Sequence, residues 1–97
     1  MRQFDVVELS DRSLAVVLQA DLLDSTLTAV VAPLVRTSAI KPAARLHPII
    51  RVDRQDYAVL VDRLAAIRRS TIKKSLMSAR DREWDFRRAL DLVFVGV

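Results

Sequence analysis

The sequence predicts a mainly β domain, a five-stranded antiparallel sheet closed by a long C-terminal α-helix, and three observations carry that reading. Two Val-rich runs, residues 4–9 and 14–19, flank the polar tetrapeptide Ser10-Asp11-Arg12-Ser13, the signature of a hairpin. Residues 48–52 and 57–61 flank Asp53-Arg54-Gln55-Asp56 in the same way. Near the C-terminus, Phe86, Leu90, Val93 and Phe94 instead recur at helical spacing. With 97 residues the chain makes one domain, residues 1–97, strand-rich over 1–75 and helical over about 79–95. A chain of this size buries roughly 65% of the surface that it exposes when unfolded, enough for one modest core.

Taken in order, the first hairpin is rich in Val, which suits a pleated surface covered on much of both sides. Asp21-Leu22-Leu23-Asp24-Ser25-Thr26 interrupts the strand pattern. A third run, residues 27–35, contains Pro33, which has no N–H to give to a ladder and so predicts an edge or a break. Residues 37–45 read as irregular, and the second hairpin follows. Ser78 stands as an N-cap with Asp81 three residues on, in a capping-box-like arrangement. Glu83 with Arg87 and Asp85 with Arg88 are spaced for ion pairs along the helix. Phe86, Leu90, Val93 and Phe94 form the face that packs on the sheet, while Trp84, Arg88, Asp91 and Val95 form another. Gly96 sits where a C′ glycine ends a helix.

Composition narrows the chemistry. Apolar residues make up 52% of the chain and charged ones 29%, a balance that excludes disorder. No apolar run approaches the roughly 20 residues of a membrane span, and no signal-peptide core follows the basic start, so a soluble, cytoplasmic protein with no membrane partner is expected. The absence of Cys excludes disulfides, Cys-based zinc sites and Cys nucleophiles. The single glycine excludes phosphate-cradling loops, which need several for close backbone approach. His47 stands alone, and Asp21 and Asp24 sit in a turn, where carboxylates usually cap. The residues therefore predict a binding protein without cofactor, metal or catalytic group.

Charge is uneven. The formal net charge is +4, and residues 63–88 hold nine basic side chains against three acidic ones, so that stretch carries +6 and the rest of the chain −2. Such a stripe suits an acidic protein or a nucleic acid, or is simply a solvated face; only Trp84 and Phe86 interleave it, few for base stacking. The last six residues, Leu92-Val93-Phe94-Val95-Gly96-Val97, are apolar where chain ends are usually polar and frayed. They predict internal docking, a dimer seam or a knob for a partner.

The ending Ala89-Leu90-Asp91-Leu92-Val93-Phe94-Val95-Gly96-Val97 resembles that of the CcdB family of bacterial toxins, Ala-Ile-Asn-Leu-Met-Phe-Trp-Gly-Ile. Gln3-Phe4 is similar to the family's opening, Gln19-Ala20-Asp21-Leu22-Leu23-Asp24 to its Gln-Ser-Asp-Ile-Ile-Asp, Val31-Ala32-Pro33-Leu34 to its Val-Ile-Pro-Leu, and Leu46-His47-Pro48-Ile49-Ile50 to its Leu-Tyr-Pro-Val-Val. These segments occur in the family's order along the whole chain. The resemblance implies an SH3-like barrel of the kind shared by CcdB and MazF toxins, and a homodimer. It also implies a toxin that binds the A subunit of DNA gyrase and traps the cleaved-DNA complex without being an enzyme. A CcdA-like antitoxin would neutralise it, and the pair together would bind operator DNA.

Carried over by position, the gyrase-facing residues are Leu22, Leu23 and Asp24 in the loop, Trp84, Arg88 and Asp91 along the helix, and Phe94, Val95, Gly96 and Val97 at its tip. Val95 replaces the family's Trp, whose π face stacks on an arginine of gyrase. Two other expectations stay open: a homologue that no longer poisons gyrase or acts on another target, and an endoribonuclease of the MazF type.

Overall fold

Valine alternation and short polar turns build an antiparallel sheet around one long central strand. The computed structural model describes residues 1–96; Val97 lies outside the described residues. Its strands are β1 (Asp5–Leu9), β2 (Leu14–Val17), β3 (Thr28–Arg36), β4 (Ile49–Val52), β5 (Gln55–Val59), β6 (Ala65–Arg68) and β7 (Ile72–Ser78), followed by the helix α1 (Glu83–Phe94). The order across the sheet is β4-β5-β3-β2-β1-β7, with β6 also paired to β3.

The nine-residue β3 serves two neighbours along one edge. Thr28–Val31 pair with β6, and Leu34–Arg36 pair with β5. Pro33 falls between them. Val30 accepts the Leu18 N–H on the β2 side, so by strand alternation residue 33 turns its amide position to the other edge, where β6 has ended and β5 has not begun. The break expected from Pro33 is therefore real, but it lies in the neighbours, and β3 runs through it. On that edge the Pro33 carbonyl still accepts the Leu60 N–H at 2.9 Å.

Both faces of the sheet are covered. Val6, Val16, Ala32 and Leu34 point into the main core with Phe4, Val59, Val61, Phe86 and Ala89. The alternate residues Val7, Ala15, Val17, Ala29 and Val31 form a smaller cluster with Leu9, Ile67 and Ile72. Phe4 and Phe86 stack at 5.5 Å between ring centroids and tie the chain's start to the helix.

Seven strands stand where the sequence predicts five. All five expected strands are present, and β6 and β7 are additional. Their side chains are mostly exposed, and Lys73, Lys74 and Ser75 break any apolar alternation in β7. Both are held by backbone pairing to better-buried strands, and lysines on an exposed strand also discourage edge-to-edge pairing. The basic stretch is thus partly sheet, not only loop and helix face.

The helix begins later than the expected 79. A 3₁₀ turn spans Arg80–Arg82, and the α-helix starts at Glu83 with no side-chain cap. Ser78 Oγ accepts the Arg80 N–H at 3.2 Å, so it stabilises the turn and does not cap the helix. Glu83 and Arg87 pair at 2.8 Å as their spacing predicts, but Asp85 pairs with Arg82 at 2.6 Å, not with Arg88. Phe94 is 68% exposed and does not join the packed face, because at 3.6 residues per turn it lies about 80° round the helix from Phe86, on the side away from Ala89, which fills the face instead.

Candidate functional site

The outer side and tip of α1 are apolar yet uncovered. Trp84, Arg88, Asp91 and Val95 recur every three or four residues and so share one stripe, all exposed. Trp84 is 68% and Val95 70% exposed, and Phe94 flanks them. Gly96 closes the helix with φ +81°, donating its N–H to the Leu92 and Asp91 carbonyls at 3.1 Å. A Cβ there would meet nothing within 4 Å, so the glycine serves the left-handed cap rather than a crowded site. The Arg87 guanidinium sits 5.5 Å over the Trp84 ring while also pairing with Glu83, which steadies the indole face.

The loop residues are presented by a different device. Leu22 is 90% exposed, on a segment held by its own polar groups. Gln19 Nε2, Thr26 Oγ1 and Arg69 Nη2 each donate to the Leu23 carbonyl at 2.9 Å. Arg69 Nε donates to the Thr26 carbonyl at 2.5 Å. Asp21 accepts the Gln3 N–H at 2.7 Å and lies 3.5 and 3.6 Å from Arg2 and Arg80. The Gln3 hydrogen bond, reinforced by Arg2 and Arg80, holds the Asp21 carboxyl below the usual carboxylate range. Asp21 is thus a clamp, a structural task of the kind expected for a carboxylate in a turn.

That clamp fixes where the loop stands. Arg80 belongs to the turn that enters α1, so Leu22, Leu23 and Asp24 sit by the helix start. Phe94 is eleven residues further on, about 16 Å along the axis. One chain therefore brings Trp84, Arg88, Asp91 and Val95 onto one stripe, with Phe94 beside it, and anchors the loop residues at the far end. Val97 lies outside the described residues.

His47 is structural, as a lone histidine usually is. Its Nδ1 accepts the Ala43 N–H at 3.0 Å, which leaves Nε2–H to donate to Asp62 Oδ1 at 2.8 Å. This pair of bonds pins the loop that forms one wall of a groove of about 560 Å³. Arg45, Pro48 and Ile49 line that wall, and Arg82, Arg88 and Leu92 of the helical segment line the other. Arg82 joins the walls by donating to the Ile49 carbonyl. The spacing of residues within α1 gives no sign of this groove, because its other half comes from a segment more than thirty positions earlier. Among the described residues, no group of three His, Cys, Asp or Glu could hold a metal ion. No helix among them is long and apolar enough to cross a membrane.

A family model described as CcdB protein matches residues 3–96. No curated protein sequence matches the chain. Among solved structures, an endoribonuclease from a mycobacterial species superposes with a TM-score of 0.80 at 11% identity, covering 100% of this chain and 92% of its own. The Mycobacterium tuberculosis toxin MazF-mt6 gives 0.74 at 17% identity, covering 97% of each chain. A MazE–MazF structure from Deinococcus radiodurans gives 0.77 at 18%, covering 100% of this chain and 98% of the other. At these identities the likeness is one of fold, the MazF/CcdB-like sheet with its terminal helix.

Proposed function

We propose a function from one established premise: this chain belongs to the CcdB family, whose model spans residues 3–96 of its 97. It is accordingly a toxin of the toxin–antitoxin type. Beyond that, we propose that it acts without enzymatic chemistry, by binding the A subunit of DNA gyrase and trapping the gyrase–DNA cleavage complex. The observation that carries this is the tip of α1. Phe94 and Val95 project two-thirds exposed from the end of a helix whose inner side is anchored in the core, followed by a glycine whose left-handed φ ends the helix there.

The separation of loop and tip within one chain supports a homodimer as the acting form. A two-fold axis near the helix ends presents two tips together, and each chain keeps its clamped loop for either partner. The proposed place of action is the cytoplasm, where gyrase works. A CcdA-like antitoxin is the proposed antagonist, and operator DNA is proposed to bind only the toxin–antitoxin pair.

Val95 favours a second reading. Valine offers no π face to an arginine, so a tip with Val95 fits a target surface other than the one the family's Trp meets. A gyrase cleavage assay decides between them: purified protein, gyrase of the same host, supercoiled plasmid and ATP, with linear DNA read after detergent and protease. Linear DNA accumulates if the tip poisons gyrase. If neither the protein nor its Val95→Trp variant produces any, the target is another one. Release of fragments from RNA incubated with the protein alone would instead establish a MazF-type activity.

A further inference from the structure

The groove between the 44–49 loop and α1 has apolar walls and two uncommitted cations on its rims. Arg82 is occupied by Asp85 and by the Ile49 carbonyl, which neutralises the centre. Arg45 and Arg88, by contrast, form no ion pair among the described residues, and both are exposed. Between them lie Pro48, Ile49 and Leu92. A ligand matching this surface carries carboxylates spaced about an apolar side chain.

The groove is also preformed. His47 binds Ala43 through both its ring and its backbone N–H, and reaches Asp62 with Nε2, so the loop cannot swing out without losing three hydrogen bonds. Arg45 is held at φ +71°, in the left-handed region that residues with a Cβ seldom adopt. Nothing in the loop's own packing requires an arginine there, since the side chain makes no hydrogen bond among the described residues. The same conformation occurs at Arg12 and Arg54 in the hairpin turns, so it belongs to the loop's geometry; what marks Arg45 is an exposed, unpaired guanidinium beside an apolar groove.

We propose that this groove seats an acidic–apolar peptide segment of the antitoxin, its apolar side chain against Pro48, Ile49 and Leu92 and its carboxylates on Arg45 and Arg88. This rests on the toxin–antitoxin reading above and gives it a place on the molecule. Occupying Arg88 covers the middle of the exposed stripe of α1, so a peptide bound here competes with a partner that uses that stripe. A fully apolar ligand leaves both guanidinia unmatched, and a nucleic acid finds no Phe, Tyr or Trp platform among the lining residues, so a protein segment fits best.

The test uses the full chain and two fluorescent, acetylated octapeptides, one of alternating Glu and Leu and one of alternating Lys and Leu. The Glu–Leu peptide should bind saturably, with affinity that falls as salt rises, and the Lys–Leu peptide should bind at least tenfold more weakly. Arg45→Glu should weaken the Glu–Leu peptide at least tenfold, while Arg45→Lys, which keeps the charge, should weaken it less than threefold. An unchanged thermal midpoint confirms that both variants are folded. Equal binding of the two peptides, no saturable binding, or Arg45→Glu binding like wild type overturns the proposal. Because Arg45 is not part of the tip, Arg45→Glu should keep wild-type behaviour in the gyrase cleavage assay. Wild-type poisoning with a failed peptide result removes the groove and leaves the function standing. The reverse pattern keeps the groove and removes gyrase as the target.

Discussion

On the inner side of α1, Phe86 and Ala89 have no exposed surface, while on the outer side and at the tip Trp84, Phe94 and Val95 are 68%, 68% and 70% exposed. The helix and its C-cap, residues 83–95, thus divide their apolar side chains between two tasks. The inner set closes the core, with Phe86 stacked on Phe4 and Leu90 and Val93 packed at its border. The outer set has no cover in its own chain, and leaving that much aromatic and aliphatic surface in water is unfavourable by about 25 cal/mol per Å². The difference teaches where to look for stability and where for recognition: changes on one side should leave the other quantity untouched.

The largest effect belongs to the inner side. Phe86→Ala removes a fully buried ring and its stacked partner's contact, and should cost about 3–5 kcal/mol, read as a lower denaturant midpoint with an unchanged slope. For a domain of this size that is a large share of the total stability, so toxicity should fall only because folded protein is lost. Second comes the tip. Val95→Trp should leave the denaturant midpoint within about 0.5 kcal/mol, because the position is exposed. If gyrase is the target, the same change should tighten binding by at least about 2 kcal/mol per site, roughly thirtyfold, measured as the concentration that gives half-maximal linear DNA. A Val95→Trp protein that is markedly destabilised would break the division, since it would show that the tip is packed after all.

A third change probes a region remote from both sides. The β4–β5 turn holds Asp53 and Arg54 at φ +49° and +68°, a two-residue hairpin that normally uses glycine. Arg54→Gly relieves the left-handed strain and should stabilise the domain by about 0.5–1 kcal/mol in chemical denaturation. Activity at the tip should not move. The gain is limited because Arg51 already bonds the Arg54 carbonyl at 3.2 Å and so supports the present turn.

How much of this was legible depends on what each element is made from. The two hairpins and the central run were readable because their apolar residues alternate and their turns are polar, and their inward side chains are the ones that pack. β6 and β7 were not, because Arg68, Lys73, Lys74 and Ser75 carry no inward periodicity and their pairing comes from neighbours far along the chain. The helix was readable in type but not at its start, since Ser78 and Asp81 fit a capping pattern while the backbone spends three residues in a 3₁₀ turn first. Of the site, the stripe Trp84–Arg88–Asp91–Val95 follows from spacing alone. That Phe94 stands out of the core, that the Leu22 loop is tethered to the helix entry, and that a groove crosses to Arg45 all depend on tertiary placement, which one chain's pattern does not encode.

The smallest effect, and the most direct test of that tether, is at Asp21. Its carboxyl is depressed chiefly by the Gln3 N–H and further by Arg2, so the folded state favours the ionised form. A depressed folded-state value gives a contribution that is fully present above the ordinary value of 3.8 and disappears as the pH falls through the lower folded-state one. Asp21→Asn lacks that titration. The stability gap between wild type and Asp21→Asn should therefore be constant near neutral pH and close below about pH 4, followed by urea unfolding across pH 2.5–6. The exposed, salt-screened setting keeps the gap small. Its consequence is local: Asp21→Asn frees the Leu22 loop from Arg80 while leaving α1 anchored by Phe86. If loop and tip act through separate tethers, amide exchange should quicken over residues 19–28 and stay unchanged over 86–94. Exchange that quickens equally in both segments would mean that Arg80 couples the loop to the helix, and that the two sides of α1 are less independent than their burial implies.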